Sequence, residues 1–506
     1  MRVNLLHALG AEQPVLAHAE DLVLDLGLEP VISACADGDP VVREVVEATL
    51  LRPLTSASDI LFRQDVMRDF VRHPALLRSL HDVTTRSLGA EREARRHIYG
   101  LTDRPESRLH SSVELLSLLL GFLRELRQLA DSNAAVVDSD GVTAFLAATS
   151  ADLSDDYLDQ VAVNLDSLRF RSGIPSTVRL SPGNGIVDYR VDQPPAHQGR
   201  LREFLGVLKR SPFVVTIAPR DEAGATALRH MRDFSLNELA DTLEHAATHV
   251  QGYLHRLHRE TAFYVGALNL LHEFQRRHVV RCYPEPDDSQ PRILAFTDLC
   301  DAGLALRGQD APVTNDLDAD GRSLILITGA NSGGKSTFLR SVGLAQLLTQ
   351  AGLPVPARTL RVSPAAQVLT HFKREEESSL ISGKLDEELT RMSGLVPDLV
   401  PGSLVLFNES FASTYEAEGS EIARNVVLAL TRRGMRVVYV THMYQLGEGL
   451  QELHDEEHLF LRTTLRPDGR PSYRLHVGAP EPRSNGVEMY DRVFRAAGPT
   501  GRLPAA

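Results

Sequence analysis

The chain has 506 residues, of which 43% are hydrophobic and 24% charged, giving room for two or three globular domains. A formal net charge of −13 excludes a uniformly basic surface for nucleic acid, although a local basic channel stays compatible with it. Cys35, Cys282 and Cys300 are far apart with no CxxC spacing, which excludes a disulfide framework or a zinc site of that kind and fits a reducing compartment.

The N-terminus has no continuous apolar core after its single Arg, so it does not read as a signal peptide. The most apolar run, residues 113–123, falls short of the roughly 20 residues that span a bilayer. A cytoplasmic protein without membrane segments is expected.

Residues 1 to about 275 read mostly as helix, with Leu and Ala abundant and apolar positions at three- and four-residue spacing in 43–51, 58–70 and 115–129. The longest pattern runs over 235–278 with no Pro, which predicts an extended arm or coiled coil rather than a compact core helix. This half either packs as a plain bundle or works as a lever. Between 165 and 220 the texture changes: TVRLSP, GIVDYRV and FVVTIAP predict a small β insertion. A Pro-, Asp- and Gly-rich stretch over 282–322 reads as a boundary. Domains are therefore expected at 1–285, 286–480 and 481–506, the last a C-terminal helix and tail.

Beyond the boundary come the short apolar runs 324–328, 404–407 and 437–440, separated by helical patterns. Such runs predict parallel strands buried on both faces. The segment 458–477 predicts a hairpin turning at Asp468-Gly469.

The strongest motif is GANSGGKST, in which Gly329, Gly334, Lys335 and Ser336 fit GxxxxGK[ST] between a predicted strand, LILIT, and a predicted helix. Glycines let backbone N–H groups turn inward around a phosphate, and a helix N-terminus adds partial positive charge. Gly329, Ala330, Asn331, Ser332, Gly333, Gly334, Lys335, Ser336 and Thr337 are the expected phosphate-binding residues. Lys335 supplies a full charge, and the Ser336 hydroxyl can ligate Mg²⁺. SLVLFNES then ends an apolar strand in Asn408 and Glu409. Glu409 is the general-base candidate, while Asn408 offers a metal-bound water an uncharged amide oxygen. Ser413 and Thr414 precede a helix expected to begin near Gly419, where they can bind an anion or cap the helix. Thr441 and His442 fall at the C-terminal end of the strand VVYV, where His442 can meet a γ-phosphate.

Together these pieces resemble the MutS family of DNA mismatch-repair ATPases. The loop has the family's Asn at its third position and is followed by AGLPVPA, SSLISGKLDEELTRM, STYEAEG and VTHMYQL, each similar to a family segment. Upstream, LLRPLTSASDILFRQDVMRDF and AFYVGALNLLHEF resemble the start of the family's helical core and the return of its arm. The resemblance spans roughly 40–490 and is tight over 322–445.

It implies a mixed fold: a mostly α-helical core and lever region, then an α/β ATPase domain of ABC type with a largely parallel sheet. It also implies hydrolysis of ATP with Mg²⁺ and a homodimer through the ATPase domain. Ser413 and Thr414 would then meet the partner's γ-phosphate, His442 would sense it, and Asn315 matches a family Asn ahead of the sheet. Double-stranded or branched DNA, held by scattered Arg residues such as those of REARRH, is the implied partner, at the nucleoid.

The departures also carry expectations. Ala311, Pro312 and Val313 stand where the family has an adenine-stacking aromatic, which loosens the preference for ATP over GTP. Asn408 replaces a Mg²⁺-linked Asp, which predicts slow or metal-sensitive turnover, and the segment before Gly419 is about two residues longer. No mismatch-reading domain and no nuclease-like extension are expected in this chain. An ABC-type ATPase acting on proteins or chromosome architecture, and a slow nucleotide switch, remain alternatives.

Overall fold

A computed structural model describes residues 3–7, 13–98, 104–170, 174, 176–180, 186–191, 222–308, 312–329, 333–374, 383–466 and 471–480. The chain divides into two compact units, one of residues 1–5 and 72–261, the other of residues 6–71 and 262–506.

The second unit begins with four helices, α1 (Ala19–Leu26), α2 (Glu29–Ala36), α3 (Pro40–Leu50) and α4 (Ala57–Arg72). Asp39 caps α3 by accepting from the N–H of Val41 and Val42, and Pro40 occupies the position where a missing N–H costs nothing. Val42, Val45, Val46 and Leu50 form its buried stripe.

The first unit is helical. It holds α5 (Pro74–Ile98), α6 (Pro105–Asn133), α7 (Asp140–Asp152) and α8 (Asp155–Ser167). Ser139 and Ser154 cap α7 and α8 with their hydroxyls. Leu109, Val113, Leu116, Leu120 and Leu123 give α6 a buried face at helical spacing. The expected β insertion is a two-stranded antiparallel ribbon, β1 (Ser176–Leu180) with β2 (Ile186–Val191). FVVTIAP lies outside the described residues. The predicted arm is one helix, α9 (Glu222–Arg276), of 55 residues. It starts well before Ser235 because 222–234 contains no Pro and nothing that stops a helix. Arg108 fastens α6 to it through Asp241 at 2.6 Å and Glu244 at 2.7 Å.

In the second unit the stretch expected to be only a boundary is itself structured. It contains β3 (Glu285–Pro286), β4 (Leu294–Leu299), α10 (Ala302–Arg307) and β5 (Asn315–Asp318). Then come β6 (Leu324–Thr328), α11 (Lys335–Gln350), β7 (Thr359–Val362) and β8 (Val368–Phe372). They are followed by α12 (Lys384–Leu395), β9 (Leu404–Asn408), α13 (Glu416–Arg432), β10 (Arg436–Val440) and α14 (Tyr444–Gln451). The strands β11 (His458–Leu465) and β12 (Pro471–Val477) form the predicted hairpin, whose Asp468-Gly469 turn lies outside the described residues.

Among the described residues the main sheet has six strands in the order β12-β11-β6-β10-β9-β8, with every neighbouring pair parallel except β11 and β12. A smaller sheet, β3-β7-β4-β5, is mostly antiparallel. In the main sheet Leu324, Leu326, Val405, Phe407, Val437 and Tyr439 pack on one face with Met392 and Leu395 of α12, Ala423, Val427 and Leu430 of α13, and Leu446 and Leu450 of α14. Alternation sends Leu406 to the other face, against α11. There Gly343 leaves so little room that a Cβ would lie 2.7 Å from Leu406 and from Leu26 of α1. Coverage on both faces explains the continuous apolar runs of these strands. It also brings the carboxyl ends of β6, β10 and β9 side by side, the edge where open α/β sheets bind ligands.

Candidate phosphate-binding site

Three chain segments meet at that edge. β6 runs into Gly329, whose φ of 124° lies in a region that L side chains avoid, and a Cβ there would stand 2.3 Å from Thr463 Oγ1 of β11. Gly334 (φ 90°) opens α11, its own hypothetical Cβ 3.3 Å from the Tyr473 ring. Ala330, Asn331 and Ser332 lie outside the described residues. Gly329→Ala is expected to distort the loop and abolish retention on immobilised ATP while the chain stays folded by circular dichroism. Retention equal to wild type would contradict this placement.

Lys335 and Ser336 start α11. The Lys335 ammonium donates to the Gly329 carbonyl at 2.7 Å and sits 3.9 Å from Glu409 Oε1. Burial pushes its pKa down, and the Glu409 charge opposes that shift. The Ser336 hydroxyl donates to Asn408 Oδ1 at 2.9 Å. Asn408 ends β9, and Glu409 follows with φ 55°, a left-handed turn that its N–H stabilises by donating to Val440 O at 2.9 Å. Glu409 Oε2 accepts from the His442 backbone N–H at 3.2 Å and meets His442 Nδ1 at 2.5 Å. That hydrogen bond raises the His442 pKa, against a smaller opposing effect of burial. Lys335, Glu409 and His442 thus form one chain of polar contacts, with the Ser336–Asn408 hydrogen bond beside it. Ser336, Asn408 and Glu409 also make a set of hard oxygen donors suited to Mg²⁺, which takes few carboxylates and completes its shell with water and phosphate.

Beside this group lies a cavity of about 750 Å³, lined by Gly333 to Thr337, Glu409, Leu304, Pro312, Val313 and Tyr473. Asn315 borders it and holds the hairpin strand: its Nδ2 donates to Tyr473 O at 3.3 Å, and its Oδ1 accepts from Leu475 N–H at 2.8 Å. Tyr473 was missed by sequence reasoning. It comes from a strand more than a hundred residues away that only the fold brings alongside the loop.

Ser413 and Thr414 are not in this cavity. They bond to acids of their own chain, Ser413 to Glu388 Oε1 at 2.6 Å and Thr414 to Glu418 Oε2 at 2.6 Å. Neither caps α13. That helix starts at Glu416, earlier than expected, with Tyr415 as a cap residue that makes no side-chain hydrogen bond. The extra residues before Gly419 simply join the first turn, where Glu416 and Glu418 favour a helix N-terminus.

Beneath the loop after Glu409 lies His371, fully buried, its ring stacked on Phe411 at 5.3 Å. Burial, with the nearby Arg391 charge, pushes its pKa down from 6.5 to about 4. The unfolded chain therefore binds a proton that the folded chain refuses. Stability through this group is complete above pH 6.5 and is lost between 6.5 and about 4, by about 3 kcal/mol. Urea titrations at pH 7 and pH 4 test this: His371→Asn should shrink the difference, and an unchanged difference would contradict it.

No helix among the described residues is long and apolar enough to cross a membrane. Comparison with known proteins gives two family matches and several relatives. Residues 55–277 match the family model of the MutS2 N-terminal domain, and residues 325–489 match that of MutS domain V. The chain is 30% identical over 170 residues to "Endonuclease MutS2" of Clostridium acetobutylicum, covering 33% of this chain and 21% of the relative. It is 32% identical over 205 residues to "Endonuclease MutS2" of Bacillus velezensis, covering 39% and 25%. It is 28% identical over 255 residues to "DNA mismatch repair protein MutS" of Chloroflexus aurantiacus, covering 47% and 26%. The matched segments span only about a quarter of these relatives' lengths. Two family models in the same chain, one on the helical part and one on the sheet that carries Lys335 and Glu409, show that the chain belongs to the MutS family.

Proposed function

We propose that the chain is an ATP-binding and ATP-hydrolysing MutS-like protein that acts on DNA in repair or recombination, as a dimer paired through its sheet-bearing unit. The observation that carries this reading is the polar group of Lys335, Ser336, Asn408, Glu409 and His442 at the carboxyl edge of adjacent parallel strands, beside a cavity large enough for a nucleotide.

In this reading the glycine loop and the N-terminus of α11 receive the phosphates, and Lys335 turns its charge from Gly329 O toward them. Ser336, Asn408 and Glu409 would hold Mg²⁺, which when bound neutralises charge on the phosphates. Glu409 orients and deprotonates the attacking water, and His442 fixes the carboxylate from the far side. Asn408 adds no charge beside the metal, so turnover is slow. Asn315 holds the Tyr473 backbone beside the cavity, and Tyr473, 46% exposed, offers its ring to the base in place of the aromatic absent at 311–313. Tyr473→Ala is expected to weaken ATP binding roughly tenfold and Tyr473→Phe to leave it unchanged, by calorimetry. Equal affinity for all three proteins would remove Tyr473 from the site.

DNA is the proposed partner because both matched domains belong to a family whose named relatives act on it. The test is ATP turnover with no DNA and with linear, mismatched or branched duplex. Stimulation by one of them supports the reading and identifies the preferred structure. Turnover indifferent to every DNA, with no DNA binding at low salt, points instead to a protein-directed ATPase.

A further inference from the structure

The loop that follows Glu409 stores strain at two places. Glu409 and Phe411 both have φ in the left-handed region, at 55° and 59°, and neither is glycine. Such residues persist only where their surroundings over-determine them. Here the Tyr439 hydroxyl donates to Ser410 O at 2.6 Å, and the Ser410 hydroxyl donates to His371 O at 2.5 Å. Gly419 lies so close to Phe411 O that a Cβ would approach to 2.2 Å. A further hold is Glu388 of α12, only 5% exposed, and its carboxylate is shared. One oxygen accepts the Phe411 N–H and the other accepts the Ser413 hydroxyl proton at 2.6 Å.

A serine hydroxyl has one proton to donate. While Glu388 takes it, Ser413 cannot donate to an anion, and the carboxylate sets a like charge beside any phosphate that approaches. We propose that Glu388 is a positioning residue that holds Ser413 back, so that an anionic phosphate from a second copy of this chain must displace the Glu388 carboxylate before Ser413 can bind it. The inference rests on the paired-subunit reading above. It also gives the loop a coupling role. Glu388 grips Phe411 and Ser413 through one carboxylate, so releasing Ser413 alters the support of the turn that aims Glu409.

Glu388→Gln separates the two holds. The amide oxygen still accepts the Phe411 N–H, while the amide N–H donates to Ser413 Oγ and frees the hydroxyl proton. The experiment is sedimentation velocity of the full chain with Mg²⁺ and a non-hydrolysable ATP analogue, on wild type, Glu388→Gln, Ser413→Ala and the double variant. Glu388→Gln should lower the protein concentration for half-association roughly tenfold. That gain should vanish when Ser413→Ala is also present, which a merely structural role for Glu388 would not produce. ATP affinity measured below the association range should stay at the wild-type value. If Glu388→Gln does not fold, Glu388→Asp, which draws the carboxylate back by one methylene, serves with the same expected direction. A wild type that associates while the folded variant associates no more tightly overturns the inference alone. Association absent from every protein, although ATP binds, overturns the paired-subunit reading and the inference with it.

Discussion

Glu409→Gln should bind ATP as tightly as wild type and hydrolyse it about a hundredfold to a thousandfold more slowly, the range expected when a positioned general base is lost. The amide keeps the shape of the side chain and can still accept from the His442 N–H, so the 3.2 Å contact survives. What is lost is the basic oxygen that would take a proton from water, and the negative partner of His442. Single-turnover hydrolysis under saturating ATP measures the chemical step directly. Loss of binding instead of turnover would show that Glu409 holds the loop rather than activates water. Because the Glu409 hydrogen bond raises the His442 pKa, the variant should also let His442 shed its proton at lower pH. An imidazole titration followed by NMR would show that shift, and an unmoved titration would contradict the pairing.

Lys335→Ala should remove ATP binding at ordinary nucleotide concentrations, a loss on the order of a hundredfold or more, since a charge-assisted contact to phosphate disappears in a buried setting. Its effect on stability should be small. The ammonium is only 5% exposed and burial already disfavours its charge, so the folded chain gives up little when it goes. Thermal unfolding without nucleotide should therefore remain close to wild type, while the stabilisation that ATP confers should be lost. A variant that unfolds early without nucleotide would show that the contacts of Lys335 to Gly329 and Glu409 are structural.

Much of the sheet was legible because its strands are buried on both faces. LILIT, LVLF and VVYV are nearly uninterrupted apolar runs, and they became β6, β9 and β10 within a residue of the expected bounds. Lys335 and Ser336 were read from the GxxxxGK[ST] pattern, and Asn408 and Glu409 from the end of the apolar run LVLF. The small sheet was not legible. β3 is two residues long, β5 reads NDLD, and both sit among Pro, Asp and Gly that signal turns more strongly than strands. Tyr473 and Glu388 were beyond reach for a different reason. Tyr473 lies in a plain hairpin strand and Glu388 in SSLISGKLDEELTRM, where nothing local singles it out from Glu387; the fold sets each against the loop around Gly334 or the loop after Glu409. The reading of Ser413 and Thr414 as helix caps failed on local chemistry. Acids at 388 and 418 compete for their hydroxyls, and the helix starts without them.

The most direct test of a nucleotide-hydrolysing site at the carboxyl edge of this sheet is calorimetric titration of ATP with Mg²⁺ into the full chain, followed by phosphate release from the same sample. Saturable binding of one ATP per chain, slow phosphate release, and loss of both in Lys335→Ala are expected. ATP binding that persists unchanged in Lys335→Ala, or no binding by the wild type, would contradict such a site.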